Sequence, residues 1–252
     1  MTKKPFLSII IPAYNEEINL KRGALDSVND YLSEQEYSWE VIVLDDGSTD
    51  KTVSFVENFT KKHKGFLIFK EPHRGKGGTI VAGMKKANGQ YVLFTDMDQS
   101  TPIDQLNKFI PKLQEKFDVV IGSRSGRPGQ SIIRKIMAYG LVFSRTLILR
   151  LPFKDTQCGF KLFSKKAVEK IFSRMEVFGN QNLANAGGSV TAGFDLETLF
   201  IARKLKLKIA EVPVDWYEYG ERKEVKPIKD SWEGIRDLLK IRINALQGKY
   251  KL

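Results

Sequence analysis

Continuous apolar runs alternate with amphipathic stretches through the first half of the chain. FLSIIIPAY (6–14) is strand-length and β-branched with no polar face, which predicts a strand buried on both sides. Residues 16–32 have the composition of a helix. WEVIVLDD (39–46) predicts a second buried strand, followed by a helix in STDKTVSFVENFTKKH (48–63) with Ser48 or Asp50 as its cap. GFLIFKE (65–71) predicts a third strand, and GKGGTIVAGMKKANG (75–89) a glycine-led helix with Gly89 just past its end. QYVLFTD (90–96), PIDQLNKFIPKLQEKF (102–117) and DVVIGSR (118–124) predict a strand, a helix and a fifth strand.

Strands alternating with helices across short loops imply parallel βαβ units with helices on both faces of the sheet. Ligands of such sheets sit beyond the C-terminal strand ends. Here those ends read AYNEE, DDGSTD, EPHRGKGG, TDMDQS and GSRSGR, and they hold almost every unusual polar residue of this half. The second half is less regular. Residues 131–151 mix large apolar residues with Arg134, Lys135, Arg145 and Arg150. LPFKDTQCGFKLFSKKAVEKIF follows, then a Gly/Asn-rich loop at 179–193. Residues 194–223 read as a helix, a strand and a charged loop, and a helix is expected from about Ser231 to Ala245.

Composition adds modest constraints. A chain of 252 residues with 42% apolar and 28% charged residues is an ordinary globular protein with room for a sizeable core. The lone Cys158 excludes an internal disulfide and suits a reducing cytosol. No stretch approaches the ~20 apolar residues of a membrane span. The N-terminus reads as a first strand rather than a signal peptide, because acids follow its short apolar run at once. The excess of 41 Lys+Arg over 30 Asp+Glu suits nucleic acid, a phosphorylated small molecule or an acidic membrane, or simply a solvated basic surface. Nucleic acid fits least: the aromatics form no evident stacking platform, and acids at the strand ends repel phosphates.

Asp96 and Asp98 end the fourth strand one residue apart. Two carboxylates so placed either repel each other in a capped turn before Pro102 or share a divalent cation, Mg²⁺ or Mn²⁺, with substrate phosphates. Asp45, Asp46 and Asp50 surround a strand-to-helix turn, where a carboxylate can meet a base N–H or ribose hydroxyls; Asp50 also suits a cap. HRGKGG (73–78) sets cations, Lys76 among them, at a helix start that favours phosphate, or forms a flexible basic loop. Together these parts suit a nucleotide-sugar site, because a cation makes a diphosphate a better leaving group.

In this order and spacing, SIIIPAYNEE, VLDDGSTD, GKGG, DMD and GSR closely resemble family 2 glycosyltransferases of the GT-A fold. DTQCGFKLF (155–163), FDLE (194–197) and EVPVDWYE (211–218) resemble the polyprenyl-phosphate branch, particularly dolichyl-phosphate β-glucosyltransferases. The resemblance covers about residues 6 to 223. It implies one GT-A domain over 1–252, with a Rossmann-like, mostly parallel sheet flanked by helices. A nucleotide-binding half would run to about residue 125, and an acceptor-side extension with membrane-docking helices would follow from about 126. The implied reaction is inverting, metal-dependent transfer of a hexose, glucose from UDP-glucose by branch, onto a polyprenyl or dolichyl phosphate. GDP-mannose as donor and a hydroxyl acceptor in cell-surface glycan synthesis are the alternatives.

Carried residue by residue, the resemblance sets Pro12, Tyr14 and Glu16 around the nucleoside and Asp46 at the base. Lys76 and Gln99 fall on the donor side, Asp96 near ribose or sugar, and Asp98 as principal ligand of Mg²⁺ or Mn²⁺. Arg124 would lie at the acceptor phosphate with Gln157 close by. Arg222 and Lys223 match the region where the branch carries Ser-Lys beside the diphosphate, and Glu-Arg-Lys stands there instead. A lipid phosphate is already anionic, so no strong base is required; Asp195 is the candidate for a hydroxyl acceptor, with helix capping as its other reading. The branch often carries transmembrane helices. A chain without them implies peripheral docking at the inner, cytoplasmic face of the membrane through 131–151, assisted by the basic tail. An ordinary core or homodimer helix is the other reading of that segment.

Overall fold

The computed structural model describes residues 4–124, 132–177, 192–219 and 227–251. Seven strands form one sheet: β1 (Leu7–Ala13), β2 (Trp39–Asp45), β3 (Phe66–Lys70), β4 (Tyr91–Phe94), β5 (Val119–Arg124), β6 (Lys161–Ser164) and β7 (Ile209–Val214). Their order is β3-β2-β1-β4-β6-β5-β7. Every neighbouring pair is parallel except those made by β6, which is antiparallel to β4 and β5.

All of β1 is buried because both its faces are covered. Ile10 joins a core formed with α4 (Gly75–Lys86), α7 (Lys165–Phe172), α8 (Ala192–Lys204) and α9 (Pro227–Leu246). Ile9 and Ile11 face the opposite core, with α2 (Ala24–Ser33) and α3 (Thr52–Lys62). That two-sided burial is why the strand reads as an unbroken apolar run.

The predicted first helix is two: α1 (Glu17–Lys21) and α2, separated at Gly23, whose φ of 87° a helix interior does not permit. The predicted helix at 102–117 is a 3-10 segment at Ile103–Lys108 followed by α5 (Ile110–Gln114), with Pro111 in its first turn. Asp50, not Ser48, serves the start of α3, its Oδ1 accepting from Thr52 N–H at 2.9 Å. α4 stops at Lys86, and Gly89 instead donates its N–H to Ser8 Oγ at 2.7 Å. The expected helix near 131–151 is α6 (Ile132–Leu149), which packs against α9.

β6 has no counterpart in the sequence-based prediction. It inserts between β4 and β5 and brings Lys161 beside both Phe94 and Ile121. The loop before it, residues 155–160, is thereby carried to the C-terminal ends of β4 and β5, where the predicted site lies.

Candidate active site

On the first half's side, three strand ends meet. Asp45, buried at the end of β2, accepts from the backbone N–H groups of Gly47 and Ser48, fixing the turn. Asp46 reaches across to the start of α4, its oxygens accepting from Arg74 N–H at 2.7 Å and Gly75 N–H at 2.9 Å. The first amides of α4 are thus taken by a carboxylate of the chain itself. The ring of His73 lies against Tyr14 with centroids 4.5 Å apart, and its Nδ1 is 3.0 Å from Asp46 Oδ2. Pro12 is buried in β1 just before Tyr14, which is 42% exposed. Glu16 is held by Asn19 Nδ2 at 2.5 Å and by its own N–H to Thr52 Oγ1.

The carboxylates after β4 are held unequally. Asp96 Oδ1 is 2.5 Å from Lys76 Nζ, while Asp98 Oδ1 accepts from Ser100 N–H at 2.9 Å. Gln99 adopts a left-handed φ of 52° and donates Nε2 to Asp96 O. Among the described residues its buried Oε1 has no partner. Burial, with Asp98 and Asp96 adding their repulsion, pushes the Glu16 carboxyl above its usual range despite Asn19 and Lys76. Burial opposes the Lys76 ammonium, but Asp96, with Asp195 and Asp98 behind it, outweighs burial and raises its pKa. Among the described residues, Glu16, Asp96 and Asp98 lie around the Lys76 ammonium, an excess of negative charge that a divalent cation fits. No group of three or more Asp, Glu, His or Cys among the described residues is arranged to hold a metal alone. Mg²⁺ and Mn²⁺ take one or two carboxylates and complete their shell with phosphate and water.

Across the cleft, Arg124 ends β5. Its Nε and Nη2 pair with Asp155 at 2.6 and 2.9 Å, and its face meets Trp216 with the guanidinium carbon 5.9 Å from the ring centroid. Asp155 is fixed in turn. Its N–H and that of Lys154 donate to Glu211 on β7, and Arg145 on α6 donates to Thr156 Oγ1 and to the carbonyls of Phe153 and Lys154. A cavity of about 170 Å³ is lined by Asp96, Asp98, Arg124, Gln157, Gly159 and Trp216, among others. Asp96 and Asp98 thus share one cleft with Arg124. A second cavity, about 410 Å³, touches Asp98 from the side of Arg22 and Tyr219. Arg222 and Lys223 lie outside the described residues.

The clamp has a pH signature. Burial works to raise the Asp155 carboxyl, but Arg124 overcomes it and holds the group at about 2. A depressed carboxyl contributes stability that is complete above its unfolded pKa of about 3.9 and lost as pH falls through the folded value, here about 2.6 kcal/mol. Unfolding by urea should show that loss between pH ~4 and ~2, and Asp155→Asn should shrink it. An unchanged slope in the variant would assign the acid sensitivity elsewhere.

Asp195, in the first turn of α8, is buried, and its Oδ1 accepts from Lys161 Nζ at 2.7 Å. Reading the sequence alone missed Asp155, Gly159, Lys161 and Glu211. DTQCGFKLF was the available signal, but nothing within it reveals an acid paired 31 residues away in sequence. Cys158, within it, is a fully buried small side chain.

The model of glycosyl transferase family 2 matches residues 8–172. Dolichyl-phosphate beta-glucosyltransferase of Dictyostelium discoideum is 34% identical, the alignment covering 98% of this chain and 77% of that protein. The Homo sapiens protein of the same name is 32% identical over 98% and 78% of the two chains. Glucosyl-3-phosphoglycerate synthase of Mycobacterium tuberculosis, solved with Mn²⁺, uridine-diphosphate and glucosyl-3-phosphoglycerate, superposes with a TM-score of 0.65. It is 19% identical and covers 94% of this chain and 80% of its own, a likeness of fold.

Proposed function

The chain belongs to glycosyl transferase family 2, and on that footing we propose that it transfers glucose from UDP-glucose to dolichyl or a related polyprenyl phosphate, with inversion. The observation that carries this reading is the single cleft in which Asp96 and Asp98 face the Arg124–Asp155 pair. A site for two anionic partners needs separated cationic anchors, and this one offers a place for a metal on one wall and a guanidinium on the other.

Asp98, its Oδ1 pinned by Ser100, is the principal metal ligand, and Asp96 lies toward the ribose or sugar. Bound Mg²⁺ or Mn²⁺ would neutralise charge developing on the leaving diphosphate. Tyr14, with Pro12 and Glu16, borders the nucleoside, and Asp46 shapes the base site from behind through α4 and His73. Lys76 and Gln99 serve the donor, and Arg222 and Lys223 the diphosphate or acceptor. Arg124, aimed by Asp155, holds the acceptor phosphate, with Gln157 beside it. A phosphate oxygen then attacks the anomeric carbon as the bond to the diphosphate breaks, and UDP departs. The acceptor oxygen carries no proton to remove, so no base is required. A hydroxyl acceptor is disfavoured because the candidate base, Asp195, is buried against Lys161.

The division into a donor half to about residue 125 and an acceptor half beyond belongs to this proposal, as does docking on the cytoplasmic face of a membrane. Among the described residues no helix is long and apolar enough to cross a membrane. Phe143 and Leu147 on α6 are 68% and 70% exposed, and Ile243 and Leu246 on the adjoining α9 are 51% and 73% exposed. Such a face with exposed Lys240 and Arg236 beside it fits an anionic lipid surface. A screen of radiolabelled UDP-glucose and GDP-mannose against a short polyprenyl phosphate with Mn²⁺ should label lipid from UDP-glucose. Labelling only from GDP-mannose would replace the donor, and no labelled lipid from any nucleotide sugar would end the proposal.

A further inference from the structure

The Arg124 wall of the cleft depends on a stretch with no regular structure. Residues 150–160 join α6 to β6 without helix or strand, yet they carry Asp155. Its carboxylate accepts from Nε and Nη2 of Arg124 and from the backbone N–H groups of Arg124 and Gln157. Two side chains of opposite charge hold the stretch. Arg145, buried in α6, donates to the carbonyls of Phe153 and Lys154. Glu211, on β7, accepts from the N–H groups of Lys154 and Asp155 at 3.0 and 2.8 Å. The Phe153 carbonyl and the Lys154 N–H belong to one peptide plane, and the Lys154 carbonyl and the Asp155 N–H to the next. Two consecutive rigid planes are thus gripped at both ends, which fixes how the chain enters Asp155. Arg145 also donates Nη1 to Thr156 Oγ1 at 2.9 Å, so the grip extends past Asp155.

Stability alone does not account for this arrangement. The hydrogen bonds of Arg145 go to two carbonyls and a hydroxyl rather than to a carboxylate, and among the described residues its buried Nε has no partner. Burying a charge so incompletely matched costs free energy. What the guanidinium supplies is a planar fork that reaches all three acceptors at once, which an ammonium cannot reproduce.

We propose that Arg145 is a positioning residue for the acceptor phosphate: with Glu211 it fixes the 153–156 backbone so that Asp155 presents the Arg124 guanidinium to the cleft. The inference rests on the reading of Arg124 as the anchor of the lipid phosphate. It also ties that anchor to α6, whose other face carries the exposed Phe143 and Leu147, each two residues from Arg145.

The test is the steady-state kinetics of Arg145→Lys, with UDP-glucose and a short polyprenyl phosphate varied in turn. The substitution keeps the charge but gathers its donors on one nitrogen, so it cannot span both peptides. The KM for the lipid phosphate should rise about tenfold or more, the scale of losing one charged hydrogen bond, while the KM for UDP-glucose stays parental. A lipid-phosphate KM that is unchanged, or that moves no more than the KM for UDP-glucose, overturns the proposal. A residue serving the fold alone would give that pattern, lowering kcat through the active fraction. Should Arg145→Lys not fold, the near-isosteric Glu211→Gln decides. It loosens the same two peptides from the other side and should raise the lipid-phosphate KM selectively, and equal changes in both KM values, or none, overturn the proposal. A parent that glucosylates no lipid phosphate removes the acceptor reading and this inference together. An active parent whose variants keep the parental lipid-phosphate KM removes this inference alone.

Discussion

Asp98→Ala should lower glucose transfer by about 10³-fold or more, the scale of losing a principal electrostatic element of an active site, while the protein still folds. The reasoning is local. Asp98 Oδ1 makes one backbone hydrogen bond, to Ser100 N–H, so its structural contribution is a turn bond of about 1 kcal/mol. Its removal also relieves repulsion on Glu16, whose carboxyl both Asp98 and Asp96 push upward. Melting temperature should therefore stay close to the parent's or rise, while Mn²⁺ binding is lost. Unfolding as the cause of inactivity, or activity within a few-fold of the parent, would remove Asp98 from the metal role.

Gly159→Ala should be nearly as damaging without touching a charge. A Cβ built at Gly159 would stand 2.1 Å from Asp96 Oδ2 and 2.7 Å from its carboxyl carbon, far inside contact distance. Asp96 must then swing away from Lys76, or the loop carrying Asp155 and Gln157 must retreat. Either movement misplaces a wall of the cleft by about an ångström, which costs on the order of 10² in rate. The cause is separable by a double-mutant cycle: in an Asp96→Ala background the carboxylate that the added methyl would strike is gone, so Gly159→Ala should cost little more. Full additivity would place the effect of the glycine elsewhere.

These two positions also mark what the sequence could and could not disclose. Asp98 was legible because it follows an apolar run at a strand end, and strand ends are where open sheets bind ligands. β1 and β2 were legible because burial on both faces leaves a continuous apolar signature. β6 was not: it is four residues long and begins with a buried lysine, which breaks the apolar pattern at its most deeply packed point. Missing β6 hid everything it delivers, including the approach of Gly159 to Asp96 and the Lys161–Asp195 pair 34 residues apart. Arg124 was found at its strand end, but its tie to Asp155, and through the backbone to Glu211, exists only once β7 lies beside β5. Asp46 shows the reverse limit. Its place at a strand end was visible, yet its oxygens are spent on the amides of Arg74 and Gly75, a use that no spacing in the chain announces.

The most direct measurement is the linkage and configuration of the product formed from UDP-glucose and a short polyprenyl phosphate with Mn²⁺. One-step displacement by the phosphate predicts a glycolipid cleaved by mild acid, with phosphorus–proton coupling to an anomeric centre in the β configuration. An acid-stable product with glucose on a hydroxyl, or an α-linked phosphate, would contradict it.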